Sequence, residues 1–166
     1  MRVLGIDPGS RHTGYGVVDG DGDRLRTVTC GSVPLPASLP LPVRLGRIFT
    51  EISGLIEHTR PDEMAVEDVF VSRNARSALV LGQARGAAIA AGIHGGLRVF
   101  EYSALEIKQA VVGYGKAEKN QVMHMIRVLL ALHDLNDPHA ADALAVAVCH
   151  IHARTSSQRF RVADRP

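Results

Sequence analysis

Apolar and polar positions recur along this chain with two different periods, and the change from one to the other divides it. Arg2 to Asp7 is an apolar run closed by an acid, the length of a buried strand. Thr13 to Val18 predicts a second strand and Leu25 to Val33 a third. Between them Gly20-Asp-Gly-Asp23 is turn chemistry, so strands two and three are expected to form a hairpin. A connection rich in proline follows, with Pro34, Pro36, Pro40 and Pro42, too short to link two domains. From Val43 to His58 the period lengthens: Leu45, Ile48, Ile52, Leu55 and Ile56 fall at helix spacing, and Pro61 stops the pattern. Met64 to Val69 reads as a fully buried strand, residues 75–93 as a helix rich in Ala and Gly, and Leu97 to Tyr102 as a fifth strand. Ser103 and Glu106 predict a capping box on a helix reaching Val112. Gly113 to Asn120 is read as a loop, leading to a helix with Val122, Ile126, Leu129 and Leu130 on one face. Asp137-Pro138 opens the last helix, with Asp as N-cap and Pro in the first turn. From Arg154 the chain is polar and basic, so a folded domain over 1–153 is expected to carry a disordered tail over 154–166.

Three strands with hairpin signals, then alternating helices and strands, predict an α/β domain with a five-stranded mixed sheet flanked by helices. The ribonuclease-H-like fold has this order. The size, 166 residues, and the 46% hydrophobic and 22% charged content agree with one ordinary globular domain. No apolar stretch is long enough to cross a membrane, the first residues lack a secretory pattern, and Cys30 and Cys149 stand far apart with no C-x-x-C pair. A cytoplasmic protein is the expectation. Net charge is only +2, but it is uneven. Residues 72–86 carry Arg73, Arg76 and Arg85 without an acid, and residues 107–127 carry Lys108, Lys116, Lys119 and Arg127 against Glu118 alone. Such clusters are either solvated helix faces or a footprint for a polyanion.

The acids give the chemistry its direction. Asp7 and Glu67 each end an apolar run, and Asp142 lies in the helical stretch after Asp137. An acid at the end of a buried strand must be desolvated or partnered, commonly by a cation. Three such acids, distant in sequence, suggest a divalent-metal site assembled by folding. Each has an ordinary reading as well: Asp before Pro-Gly is common turn chemistry, and an acid in a helix's first turn compensates its dipole. Alternation along a strand puts Glu67 and Asp68 on opposite faces, so at most one joins a shared site. His139 and Asp142, at i and i+3, share a helix face. No phosphate-binding G-x-x-x-x-G-K-[ST] loop and no G-x-G-x-x-G is present, and His150 and His152 match no zinc spacing, which leaves them as core or surface residues. Gly82, Gly86 and Ala90, extended by Ala78, form a small-residue stripe suited either to packing on the protein's own sheet or to a dimer interface.

Taken together, several segments resemble the RuvC family of Holliday-junction resolvases. They are Gly5-Ile-Asp-Pro-Gly-Ser-Arg11, Thr13-Gly-Tyr-Gly-Val17, Glu67 to Asn74, Ser77-Ala-Leu79, Leu81-Gly-Gln-Ala-Arg-Gly86, Phe100-Glu-Tyr102, Lys108-Gln109, Val111-Val-Gly113, Ala117-Glu-Lys119 and Ala140-Ala-Asp-Ala-Leu-Ala145. They run in family order over nearly the whole folded chain. The resemblance implies a ribonuclease-H-like homodimer that cuts two opposing strands of a four-way DNA junction symmetrically, using Mg²⁺ or Mn²⁺. Asp7, Glu67 and Asp142 fall on the family's catalytic acids, and His139 stands where an Asp is common. Two ions per site are expected, held by Asp7, Glu67, His139 and Asp142, with Asp7 bridging. Imidazole is a softer ligand than carboxylate, so better function with Mn²⁺ than with Mg²⁺ is expected. Lys119 is expected to assist catalysis. Phe70, Arg73, Asn74, Arg76, Lys108, Lys116 and Lys119 form the expected DNA-binding set, with Phe70 stacking on a base at the junction centre. Coupling to the RuvA and RuvB branch-migration proteins is implied as well, and the stripe at Gly82, Gly86 and Ala90 becomes the expected dimer face.

Two other readings compete. Gly5 to Arg11 also resembles the phosphate loop of actin-like ATPases and sugar kinases, but those need two such domains and a longer chain. A protein that binds junctions without cutting them would not need the full set of acids.

Overall fold

The computed structural model describes residues 1–21, 24–68 and 74–163, and for residues 157–163 the backbone alone. Its strands are β1 (Arg2–Asp7), β2 (His12–Asp21), β3 (Arg24–Pro34), β4 (Glu63–Asp68) and β5 (Arg98–Ser103). Its helices are α1 (Leu41–Thr59), α2 (Ala75–His94), α3 (Ala104–Val112), α4 (Lys119–Leu129) and α5 (Pro138–Ala163). One sheet runs in the order β3-β2-β1-β4-β5. β1 pairs antiparallel with β2 and parallel with β4, β2 pairs antiparallel with β3, and β5 continues parallel to β4, so the mixed sheet expected from the sequence is the one observed.

Each face of the sheet has its own core. On one, α3, α4 and α5 bury Ile107, Val122, Ile126 and Leu144 with Val3, Val18 and Ala65. On the other, α1 and α2 bury Ile48, Ile52, Ile56, Ala84 and Ala88 with Leu4, Ile6, Val17 and Val66. Strand alternation sends successive residues of β1 and β4 into the two cores, which is why both strands read as unbroken apolar runs.

α5 lies very close to the sheet. A Cβ added at Gly5 would fall 2.1 Å from the Ala143 carbonyl oxygen, and one at Gly14 would fall 2.1 Å from that of His139. Gly16 likewise leaves room only for Leu144. Glycine at these strand positions therefore lets the helix backbone rest on the strand backbone.

Three boundaries differ from the sequence reading. β2 and β3 extend further into the hairpin, with Asp21 opposite Arg24, because the Arg2–Asp19 and Arg26–Asp19 ion pairs (2.7 and 2.9 Å) favour polar residues on a continuing ladder. α4 begins at Lys119, inside the expected loop, where the Glu118 N–H donates to the Gln121 side chain at 2.8 Å. α5 runs to Ala163, past the boundary at 153/154 that the sequence reading set. Arg154 still reaches back to Glu63 at 3.0 Å, and the Thr155 hydroxyl bonds the Ile151 carbonyl at 2.9 Å. The expected caps at Ser103–Glu106 and Asp137 are present: the Ser103 hydroxyl accepts from the Glu106 N–H, and Asp137 accepts from the His139 N–H at 2.9 Å.

Candidate active site

β1 is the central strand, and Asp7 is its last residue. The parallel register sets Ile6 beside Val66, which brings Glu67 alongside Asp7 at the same end of the sheet. α5 starts over this end and supplies Asp142 from its second turn. α3 adds Lys108 and the first turn of α4 adds Lys119. These side chains line one cavity of about 180 Å³, with Ala104, Ile107, Val122 and Ala145 as its apolar floor. Asp68 points the other way and pairs with Arg85 of α2 at 3.5 Å, as alternation requires.

The electrostatics of the cavity are unbalanced. Burial, then the nearby Asp142, pushes the Asp7 carboxyl above the usual carboxylate range, while His139 acts against that rise. Glu67 is pushed up to about 7, first by burial and then by the charges of Asp7 and Asp142. Lys119 is the closest cation among the described residues: its Nζ lies 3.2 Å from Asp142 Oδ2, and Asp142 raises its pKa, so it stays charged at neutral pH. Its side chain is 84% exposed, which weakens it as a counterion. Three acids crowded against two lysines, among the described residues, leave room for added positive charge, and carboxylates suit a hard cation such as Mg²⁺ or Mn²⁺. Among the described residues, no three His, Cys, Asp or Glu side chains close around a single point as they stand. The donor chemistry fits a divalent ion.

His139 Nδ1 lies 3.3 Å from Asp7 Oδ2. Its ring stacks on that of His12, with centroids 5.1 Å apart and planes at 18°. His12 is a site neighbour that the sequence reading did not single out. The only signal for it was its place two residues before Gly14, on the strand face that meets α5.

Of the other expected DNA-binding residues, Arg76, Lys116 and Asn74 do not line the cavity. Arg76 and Lys116 are exposed and outside its wall. Asn74 caps α2, its Oδ1 accepting from the N–H groups of Arg76 (2.9 Å) and Ser77 (3.3 Å). Phe70 and Arg73 lie outside the described residues. A far larger depression, about 980 Å³, opens at the opposite end of the sheet beside Arg2, Asp19 and Arg60, but Asp19 there is already paired with two arginines. Charge imbalance, not volume, distinguishes the site.

The small-residue stripe does not pack on the protein's own sheet. α2 buries Ala84, Ala88, Ala91 and Gly92, whereas a Cβ at Gly82 or Gly86 would meet nothing within 4 Å. Leu79 and Ile93, on the same exposed side, are 69% and 59% exposed.

Residues 3–150 match the family model described as crossover junction endodeoxyribonuclease RuvC. The chain is 53% identical over 165 residues to the protein of that name from Geotalea uraniireducens, spanning 99% of this chain and 96% of the relative. It is 57% identical over 153 residues to the one from Pelobacter propionicus, spanning 92% and 87%. T. thermophilus RuvC, solved in complex with a Holliday junction substrate, superposes with a TM-score of 0.89 at 36% identity over 95% of this chain and 96% of that one. With its ribonuclease-H-like sheet and three acids gathered at the end of β1 and β4, the chain belongs to the RuvC family of crossover junction endodeoxyribonucleases.

Proposed function

We propose that this protein resolves four-way (Holliday) DNA junctions in the cytoplasm during recombination and repair, by symmetric, metal-dependent hydrolysis of two opposing strands. The observation that carries the reading is the cavity in which Asp7, Glu67 and Asp142 face too little positive charge.

Asp7, Glu67 and Asp142 would hold two Mg²⁺ or Mn²⁺ ions. Such ions would supply an activated water and positive charge for the scissile phosphate and the leaving 3′ oxygen. His139, hydrogen-bonded to Asp7, either joins the ligands or orients the attacking water. Its imidazole favours Mn²⁺ over Mg²⁺. Lys119, held protonated by Asp142, offers positive charge to the phosphate and its transition state. Lys108, Lys116 and Arg76, together with Arg73, Asn74 and Phe70, would grip the strands around it, with an affinity that falls as salt rises.

The exposed stripe of Gly82, Gly86 and Ala90, flanked by Leu79 and Ile93, supports a homodimer through α2. A twofold enzyme would set two such cavities on a twofold junction. RuvA and RuvB, the branch-migration proteins, are the proposed partners in the cell.

The test is a denaturing-gel assay of a mobile synthetic junction, labelled on each strand in turn, with Mn²⁺ or Mg²⁺, beside Asp7→Asn. Paired symmetric nicks are expected, faster in Mn²⁺, lost in the variant while junction binding persists. Binding without nicks in either metal would make this a junction-binding protein, and equal or faster cutting in Mg²⁺ would overturn the metal preference alone.

A further inference from the structure

The face of β2 that meets α5 is nearly bare. Gly14 and Gly16 leave room only for the helix backbone and Leu144. His12 belongs to the same alternating series and lies two residues before Gly14, where the strand emerges from under the first turn of α5. It is the position on this face where a side chain can stand beside the start of the helix. The imidazole there lies nearly parallel to that of His139, 18° between planes and 5.1 Å between centroids.

Both backbones are fixed. His12 pairs with Pro34 at the start of the β2–β3 ladder, and the loop before it is tied down by the Leu35 N–H to the Arg11 carbonyl (2.7 Å) and the Arg44 guanidinium to the Ser10 carbonyl (2.8 Å). His139 is held by its N–H to Asp137 (2.9 Å). Rotation of the His139 ring is the freedom that remains, and it decides whether Nδ1 meets Asp7 or turns away from it. Terminal ring torsions are broad and roughly two-fold, so the backbone alone does not choose. A flat ring stacked on one face holds the ring plane, and within that plane Asp7 selects the half-turn that offers Nδ1 rather than Cδ2.

We propose that His12 is a positioning residue: by stacking, it holds the His139 ring in the plane in which Nδ1 reaches Asp7. His12 is outside the cavity wall and acts through His139. The inference rests on the reading of this site as a phosphodiester-hydrolysing centre.

The experiment compares His12→Ala and His12→Phe with the unaltered protein. Phe keeps a flat ring but has no nitrogen. At one fixed pH, ¹⁵N and ¹H signals of the His139 ring are recorded in the metal-free protein, and single-turnover cleavage and junction affinity are measured with Mn²⁺. His12→Ala is expected to shift the His139 ring signals and mix its two tautomers. It is expected to slow cleavage roughly two- to tenfold, the size of an aromatic-pair contribution, at unchanged junction affinity. His12→Phe is expected to restore single-tautomer signals and rate. Unchanged signals in His12→Ala, a His12→Phe as slow as His12→Ala, or a loss confined to junction affinity would each overturn the proposal. The ring signals are read without metal or DNA, so they report on the stack even if the protein cuts no junction.

Discussion

Glu63 and Glu67 stand on the same strand, four residues apart and on the same face, yet their surroundings are opposite. Glu63, 3% exposed, receives Arg154 at 3.0 Å, Arg98 in a direct ion pair and His150 Nε2 at 2.7 Å. Burial keeps His150 below the usual imidazole range, and Tyr102, its pKa pushed up to about 12, keeps its proton. The bonds then run in one direction: the Tyr102 hydroxyl donates to His150 Nδ1 at 2.8 Å, and His150 Nε2–H donates to Glu63. Phe100 packs on the His150 ring, centroids 4.7 Å apart, with the Arg98 and Arg154 guanidinium groups 5.8 and 5.5 Å from its own centroid. Every acceptor there has its donor. Glu67 has instead two more acids and two lysines for company. A buried carboxylate with matched donors is part of the structure; one left with other carboxylates is waiting for a cation from outside.

The contrast can be broken from either end. The largest effect is expected at the satisfied site. Glu63→Ala leaves the buried His150 N–H unpaired and should cost about 3–5 kcal/mol in urea denaturation. The folded fraction should cut junctions at the normal rate. A stable variant, or one that folds but does not cut, would contradict the division of labour between the two acids.

At the other end the sign reverses. Glu67 is raised from 4.5 to about 7, so its folded form holds a proton more firmly than the unfolded chain does. Its contribution to stability is therefore complete below pH 4.5 and is lost as pH rises through about 7. In metal-free protein, Glu67→Gln should gain on the unaltered chain across that window, by up to ~3 kcal/mol at pH 8. Adding Mn²⁺ should stabilise the unaltered chain more than the variant. Parallel stability curves from pH 4.5 to 8 would show that Glu67 is not strained by its neighbours.

The smallest effect sharpens the comparison. The Arg98 side chain is 69% exposed, and Arg154 also serves Glu63, so Arg98→Met should cost less than ~1 kcal/mol in the same denaturation assay. A cost near that of Glu63→Ala would mean that the ion pair, and not the His150 hydrogen bond, carries the cluster.

The sequence announced Asp7, Glu67 and Asp142 because each interrupts an apolar run or sits at a helix start, which are local events. It separated Glu67 from Asp68 by alternation alone, and the Asp68–Arg85 pair agrees. Glu63 gave no such signal. Its donors lie 35, 87 and 91 residues away, and only the parallel register and the return of α5 bring them to it. His150 could be read as a core residue from spacing, but its partners could not. His12 was passed over because its significance depends on Gly14 and Gly16 being bare, and that becomes visible only once the helix is laid on them.

Those bare glycines also set how far the centre can drift. Most helices stand off a sheet by the thickness of their side chains, and that gap changes whenever a core residue is exchanged for a larger or smaller one. Here the start of α5 rests main chain against main chain at Gly14, with no layer between to swell or shrink. His139 and Asp142 are thereby referenced to the same sheet that carries Asp7 and Glu67. The core on this face can exchange one aliphatic side chain for another over evolutionary time, while the spacing among the four groups is inherited from the backbone.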